Sequence, residues 1–354
     1  MVVTYRRPKL LERALQSVIN QKYTKWECSV LNDDPLDRHP SKIVKRICDT
    51  RIKMFKPEMK RGPACAFNQA FRIKGYKFGA LLEDDNWWEP EFLIEMLKEL
   101  KKNPDVKVAV GNETIWKEQS NGEWIKTNKK IWKEKKNIKY YVTPIDACGS
   151  AKICNSSTVW RYELSAEYVT PENIPVDVTE HFRERVLPQP FLLVRKPLVN
   201  YAETVETNRD KTGIIWGEYQ ILLIGTCFAS IKKEHRIAFA RALLHFLKDK
   251  NGPRSTSLLM TGLIISEARS LLTKANWIQK IRFAISILAN PKKTVYFLTI
   301  KTRKKEHWNF LLKSPFNLQL EKIYSCNIFK RKRLSCSVYK LIKSKYLKTK
   351  PRCF

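Results

Sequence analysis

The sequence predicts an α/β protein, a mostly parallel sheet flanked by helices, continued by a helical, basic C-terminal region. Three observations carry this expectation. Short apolar runs alternate with amphipathic segments of helix length through the first hundred residues, the pattern of β-α-β units. The apolar runs end in polar residues: Thr4-Tyr5, Asp33-Asp34 and Glu83-Asp84-Asp85. Beyond about residue 210 helical periodicity alone remains, and basic residues accumulate. Between Pro291 and Phe354 there are 18 Lys/Arg against 2 Asp/Glu, half of the chain's net charge of +32.

Taken in order, Val2 to Tyr5 reads as a short strand, as though a residue or two of it lay upstream. Pro8 suits a first helical turn, and Leu10, Leu11, Ala14, Leu15, Val18 and Ile19 recur on one face. A second strand, Trp26 to Leu31, ends in Asn32-Asp33-Asp34-Pro35. A helix from Ser41 to Cys48, a strand from Ile52 to Phe55 and a helix from Pro63 to Ile73 follow. Tyr76 to Ala80 starts a strand leading into Leu81-Leu82-Glu83-Asp84-Asp85-Asn86-Trp87-Trp88-Glu89-Pro90, after which Glu91 to Leu100 returns to helical spacing. Val106 to Gly111 and Phe191 to Tyr201 read as further strands. Four helices are expected from Trp216 to Ile231, Ile237 to Leu247, Ser255 to Ala275 and Trp277 to Leu288. Three segments result: an α/β domain over 1–210, a helical extension over 211–290 and a basic amphipathic tail over 291–354.

Glu83-Asp84-Asp85 falls where a strand ends and a helix is about to begin. Ligands of open α/β sheets collect in the crevice at strand carboxyl ends, and adjacent carboxylates repel unless a cation, a proton or water separates them. Mg²⁺ or Mn²⁺ carrying phosphate oxygens fits such a place, since these ions take oxygen ligands from one or two carboxylates plus substrate phosphates. Helix capping explains Glu89 and Glu91 well but not three acidic residues directly behind an apolar strand. Asp33 and Asp34 also suit a plain turn before Pro35.

With 354 residues, 43% hydrophobic and 11% aromatic, the chain can bury a full core. Nine cysteines, an odd number without a C-x-x-C pair, argue against a disulfide framework or a zinc site and for a reducing compartment. Arg6, Arg7 and Lys9 interrupt any leader-like start, and the longest apolar runs fall short of a bilayer span. The expected location is the cytoplasm, with the basic and apolar tail suited to an anionic membrane surface at the inner face, or else simply solvated. A nucleic-acid partner is not expected, because charge is the sole feature in its favour.

Residues 1 to about 210 resemble a family-2 inverting glycosyltransferase of the GT-A, Rossmann-like fold. The opening VVTYRRPKLLERALQSVINQKYTKWECSVLNDDP is similar to that family's PTYNRP…DDG run, KRGPACAFNQAF to its NxGxxxARNxG segment, and LLEDDNWWEP to its DXD stretch. Departures are Arg6 for Asn, Phe67 for Arg, and Glu83 for the first Asp of DXD. The resemblance implies a nucleotide diphosphate-sugar donor, with a lean toward UDP, and a glycan or lipid-linked acceptor. It implies that Thr4, Tyr5, Asp33, Asp34, Arg61 and Asp84 surround the nucleotide-sugar and that Asp85 and Glu83 hold the metal. An inverting transfer needs a base for the acceptor hydroxyl. The family's ED-x-x-x-x-x-R segment is matched by Asp177, six residues before Arg183, with Val176 in place of the Glu. Glu180 and His181 compete for the role, and Asp177 also reads as a helix cap. A protein that kept the nucleotide fold and lost turnover is the alternative reading. Trp116, Trp124 and Trp132 suit either an acceptor platform or hairpin packing.

Overall fold

The computed structural model describes residues 1–55, 57–205, 212–246 and 255–325. The chain divides into two units, Met1–Tyr140 with Lys152–Arg209, and Tyr141–Ala151 with Asp210–Phe354. Residues 326–354, the most basic part of the predicted tail, lie outside the described residues.

The first unit opens with β1 (Val2–Thr4), α1 (Pro8–Ile19), β2 (Cys28–Asn32), α2 (His39–Ile47), β3 (Ile52–Phe55), α3 (Pro63–Arg72), β4 (Phe78–Ala80), β5 (Leu82–Glu83) and β6 (Trp87–Trp88). Proline at the first turn starts α1, α2 and α3, where its missing N–H costs nothing. Helix α1 buries Leu11, Ala14, Leu15 and Val18, spaced three and four apart, in one core with Val2, Val30 and Leu82 of the sheet. Strands β3-β2-β1-β5 form a parallel sheet in that order. Its register brings Thr4 beside Asn32 and Val3 beside Glu83. The polar residues that end these strands therefore emerge along one edge of the sheet.

A second, mixed sheet follows from α4 (Phe92–Lys102), β7 (Val108–Glu118), β8 (Trp124–Lys130), β9 (Ile138–Tyr140), β10 (Thr158–Arg161), α5 (Thr179–Val186) and β11 (Phe191–Glu203). Its order is β4-β10-β7-β11-β6, with β8 on β7 and β9 on β11. Among these pairs β7 and β11 run parallel and the others antiparallel. Trp88 stacks on Phe92 at 4.4 Å and donates its indole N–H to the Ser156 carbonyl at 2.7 Å. Gly79 lies against the buried Trp160 ring, where an added Cβ would come within 2.6 Å. Strand β7 runs seven residues beyond the expected Gly111 end. Asn112, Glu113 and Thr114 are buried within it, so the strand continues through polar residues that a hydropathy reading treats as its limit.

The second unit is helical: α6 (Ile214–Ser230), α7 (Lys233–Phe246), α8 (Ser255–Ile264), α9 (Ser270–Lys274), α10 (Trp277–Ala289), α11 (Pro291–Leu298), α12 (Ile300–Arg303), α13 (Lys305–Leu312) and α14 (Pro315–Ser325). Helix α6 is buried almost all round, as a central helix must be. Gly217 and Gly225 let Phe297 and Trp308 approach it. His307 is buried and contacts the Tyr219 hydroxyl at 3.1 Å, a core role. The single helix expected from Ser255 to Ala275 is broken: α8 stops at Ile264, and Leu271 and Leu272 fold back onto Gly262. No described helix is long and apolar enough to cross a membrane.

Candidate active site

The acidic turn after β5 is the meeting point. Thr4 donates its hydroxyl to Asp84 Oδ2 at 2.8 Å, and the Tyr5 amide donates to the same oxygen at 3.3 Å. Asp84 is thereby tied to the end of β1. Arg7 reaches across with Nη1 2.9 Å from Asp85 Oδ2 and 3.4 Å from Asp84 Oδ1. Arg13 donates to the Asp85 carbonyl at 2.7 Å, its guanidinium lying 3.9 Å from the Trp87 ring centre and 4.1 Å from that of Trp124. Burial lowers the Arg13 pKa to about 10.

At the end of β2, Asp33 accepts the backbone amides of Arg61 and Gly62, both at 3.1 Å. This joins the second strand end to the start of α3. Arg61 itself is exposed. Asp34 pairs with Arg6 at 2.5 Å and accepts the Leu36 amide at 3.1 Å; the Arg6 bond holds its carboxyl below the usual range. Arg6 adopts a left-handed backbone, φ +56°, a conformation that Asn tolerates better than a long side chain. Lys60 donates to the Tyr5 hydroxyl at 2.7 Å. Thr4, Tyr5, Asp33, Asp34, Arg61 and Asp84 are thus linked by a short chain of contacts around two strand ends.

Glu83 faces other partners. Its Oε2 accepts from the Ser156 hydroxyl at 2.9 Å and from Asn86 Nδ2 at 3.2 Å, while Asp85 is held by Arg7. Ligand atoms of Glu83, Cys154 and Glu180 all lie within 4.8 Å of one another. Burial, reinforced by Glu180 and Asp85, pushes the Glu83 carboxyl well above the carboxylate range. Burial and the neighbouring Glu113 do the same to Glu180. Glu113 is pushed up to about 8, burial again first, and Asp84 to about 6 by burial and then Asp85. Burial also raises Asp85, against the opposing pull of Arg7. So much carboxylate in so little water favours protons or a cation.

Asp177 stands in the short turn before α5, partly exposed, and is not part of the Glu83 group. It does not cap α5, which starts from Val178 without a side-chain cap bond. Arg183, the residue six positions on, is buried and donates to the Tyr168 carbonyl and, at 3.0 Å, to Asn68 Oδ1. Asn68 in turn exchanges hydrogen bonds with Thr170. Arg183 therefore ties α5 to α3. Sequence reasoning missed Arg7, Arg13, Cys154, Ser156 and Glu113. Arg7 and Arg13 carried a signal, since one precedes α1 and the other lies in its second turn, close to a strand end, whereas the other three come together through sheet topology alone.

Among the tryptophans, Trp116 and Trp124 lie on paired strands, and Trp87 packs against both, 5.2 and 6.0 Å between ring centres. Trp132 packs on Tyr140 at 4.8 Å. Trp116 and Trp124 thus pack within the β7–β8 hairpin, one of the two arrangements the sequence allowed, and Trp132 packs on β9.

The model of glycosyl transferase family 2 matches residues 1–162. The Escherichia coli UDP-Glc:alpha-D-GlcNAc-diphosphoundecaprenol beta-1,3-glucosyltransferase WfgD is 30% identical over 112 residues, 32% of this chain and 44% of that protein. The Staphylococcus epidermidis poly-beta-1,6-N-acetyl-D-glucosamine synthase is 24% identical over 115 residues, 32% of this chain and 28% of that one. The chain thus spans less than half the length of these relatives. Among solved structures, S. aureus TarS 1-349 in complex with UDP-GlcNAc is similar with a TM-score of 0.52 at 12% identity, covering 94% of this chain and 93% of that one. The same protein in complex with UDP gives 0.51 at 13%, covering 95% and 93%. At such identities the likeness is one of fold.

Proposed function

We propose that the protein, whose residues 1–162 match the model of glycosyl transferase family 2 on a GT-A-like α/β fold, moves a sugar from a nucleotide diphosphate-sugar, UDP by preference, to a hydroxyl of a glycan or lipid-linked acceptor with inversion. One observation supports this most: Thr4 and Tyr5 of the first strand end converge on Asp84 of the acidic turn, and Asp33 of the second strand end donates its amide to the Thr4 carbonyl at 3.0 Å. UDP in the TarS complexes and the UDP-Glc of the WfgD name support the donor class.

The donor set at the turn fits a hard divalent cation, because three buried carboxylates with raised proton affinity stand together and the Arg7 guanidinium, paired with Asp84 and Asp85, offsets a single charge. Asp85, with Glu83 as second ligand, would hold Mg²⁺ or Mn²⁺, which when bound supplies charge stabilisation to the diphosphate leaving group. The chain's own residues do the rest. Tyr5, Asp33 and Asp34 flank the base and ribose, Arg61 lies beside them for the phosphates, and Arg7 and Arg13 fix the acidic turn from α1.

For the base, the six-residue spacing to Arg183 supports Asp177, and proximity to Glu83 supports Glu180. Arg183 is buried, with Nη1 and Nη2 bonded to Tyr168 and Asn68 in the interior, so the spacing loses force. We assign the base role to Glu180, whose raised proton affinity suits proton abstraction near neutral pH. Asp177 is the second candidate. A binder without turnover is favoured by one observation, the hold of Arg7 on both Asp84 and Asp85.

The purified protein, incubated with a panel of nucleotide sugars and Mn²⁺ or Mg²⁺, should release nucleoside diphosphate from one of them. Binding to a donor without release establishes the alternative; neither binding nor release defeats both readings.

A further inference from the structure

We propose that α10 is a docking element that lays the protein on an anionic lipid surface. The helix leaves Trp277 71%, Ile278 42%, Ile281 50%, Ile285 60% and Leu288 79% exposed. At about 100° of turn per residue, these five positions fall within an arc of about 100°. Phe283, buried, lies on the opposite side and fastens the helix to its own unit. Scattered apolar residues on a surface are ordinary, but a continuous stripe marks an interaction site.

Charge identifies what covers the stripe. Lys280 and Arg282 are exposed and lie just beyond its two margins. From Ala268 to Lys305 the chain has no Asp or Glu and ten Lys/Arg. An apolar face bordered by cations, with tryptophan at one end, has the make-up of a helix lying in a lipid interface, its side chains among the acyl chains and its cations at anionic headgroups. Thirteen residues extend only about 20 Å, short of the roughly 30 Å hydrocarbon core. The helix lies on the bilayer and does not cross it. Exposed Val295 and Leu298 of α11, with Lys292, continue the same character. The inference agrees with the lipid-linked acceptor of the proposed function, but its test stands apart from sugar transfer.

The test is co-sedimentation of the full chain with vesicles of phosphatidylcholine alone or mixed with phosphatidylglycerol. The protein is expected to pellet with the mixed vesicles. The Ile281→Asp/Ile285→Asp variant should bind them at least about tenfold more weakly, since charge now sits where acyl contact is needed. Both positions are exposed, so its melting temperature and its release of nucleoside diphosphate in solution should match the unaltered protein. Lys280→Glu/Arg282→Glu should weaken binding to the mixed vesicles and leave any binding to neutral ones unchanged. Undiminished binding by the Ile variant overturns the proposal. So does loss of binding on deleting residues 326–354 while the Ile variant still binds, which assigns the surface to the tail. So does a dimer by light scattering that the Ile substitutions dissolve, with no vesicle binding, which assigns the stripe to a second copy. Vesicle binding without any diphosphate release defeats the transfer reading and leaves this one standing.

Discussion

Glu113 offers a quantitative test of the buried acidic cluster. It is 2% exposed within β7, and its Oε1 has no hydrogen-bond partner among the described residues. Burial raises its pKa from an ordinary 4.5 to about 8, against the pull of the Ser157 hydroxyl and a backbone bond at Cys154. The folded state therefore holds this proton more tightly than the unfolded chain does. The resulting stabilisation is fully present below the unfolded value and is lost as pH rises through about 8. At 1.36 kcal/mol per pH unit, the full loss is on the order of 5 kcal/mol. Replacing Glu113 by Gln keeps the shape and removes the titration. Urea midpoints measured from about pH 5 to about pH 9 should fall steeply for the unaltered protein and less steeply for the variant, by one proton's worth per pH unit. Glu83, Glu180 and Asp84 titrate in the same sense in both proteins, so the difference between the curves is the informative quantity. Superimposable curves would show that Glu113 is ionised in the folded state and that the cluster is wetter than its burial indicates.

Asp85→Ala should lower transfer by several powers of ten, because stabilisation of the leaving diphosphate is a large term; full activity in that variant or in EDTA contradicts the metal assignment. Glu180→Gln should cut transfer by about 10² to 10⁴ while nucleotide-sugar affinity stays within a few-fold, and Asp177→Asn should keep measurable transfer. The reverse pattern in steady-state rates returns the base role to Asp177. Gly79→Ala drives a methyl into the buried Trp160 ring and should cost about 1 to 3 kcal/mol in chemical denaturation; an unchanged midpoint means that Trp160 moves freely. Arg6→Asn relieves the left-handed strain but frees Asp34, so donor affinity should change more than melting temperature, as calorimetry and thermal scans would reveal.

The strand ends were legible because β1, β2 and β5 are short, apolar and end in polar residues, acidic ones at β2 and β5, and parallel pairing puts such ends on one edge. Helix starts were legible where Pro8 and Pro63 mark a first turn. The mixed second sheet was not: β4 pairs with β10 about eighty residues away, and local pattern holds no information about that register. The Glu83, Cys154, Ser156 and Glu180 grouping escaped for the same reason, since topology alone joins the acidic turn to residues seventy to a hundred positions on. Asp177 stood out by spacing to Arg183, yet a spacing cannot say whether the arginine faces substrate or core. The break at Ile265 has no proline to announce it, and Gly262, inside α8, signalled it weakly; there the missing side chain lets Leu271 and Leu272 close on the helix.

Strand β11 is hydrogen-bonded along both sides, to β7 on one and to β9 and β6 on the other. It begins 29 residues after the end of the matched segment at residue 162. A recombinant fragment cut at that boundary would expose one full edge of the eleven-residue β7, with Val108 and Val110 in it. Such an edge invites pairing with other chains. Asn68 would also lose its arginine partner. Any truncated preparation intended for refolding or crystallisation must therefore run through Glu203, some forty residues past the end of the matched segment.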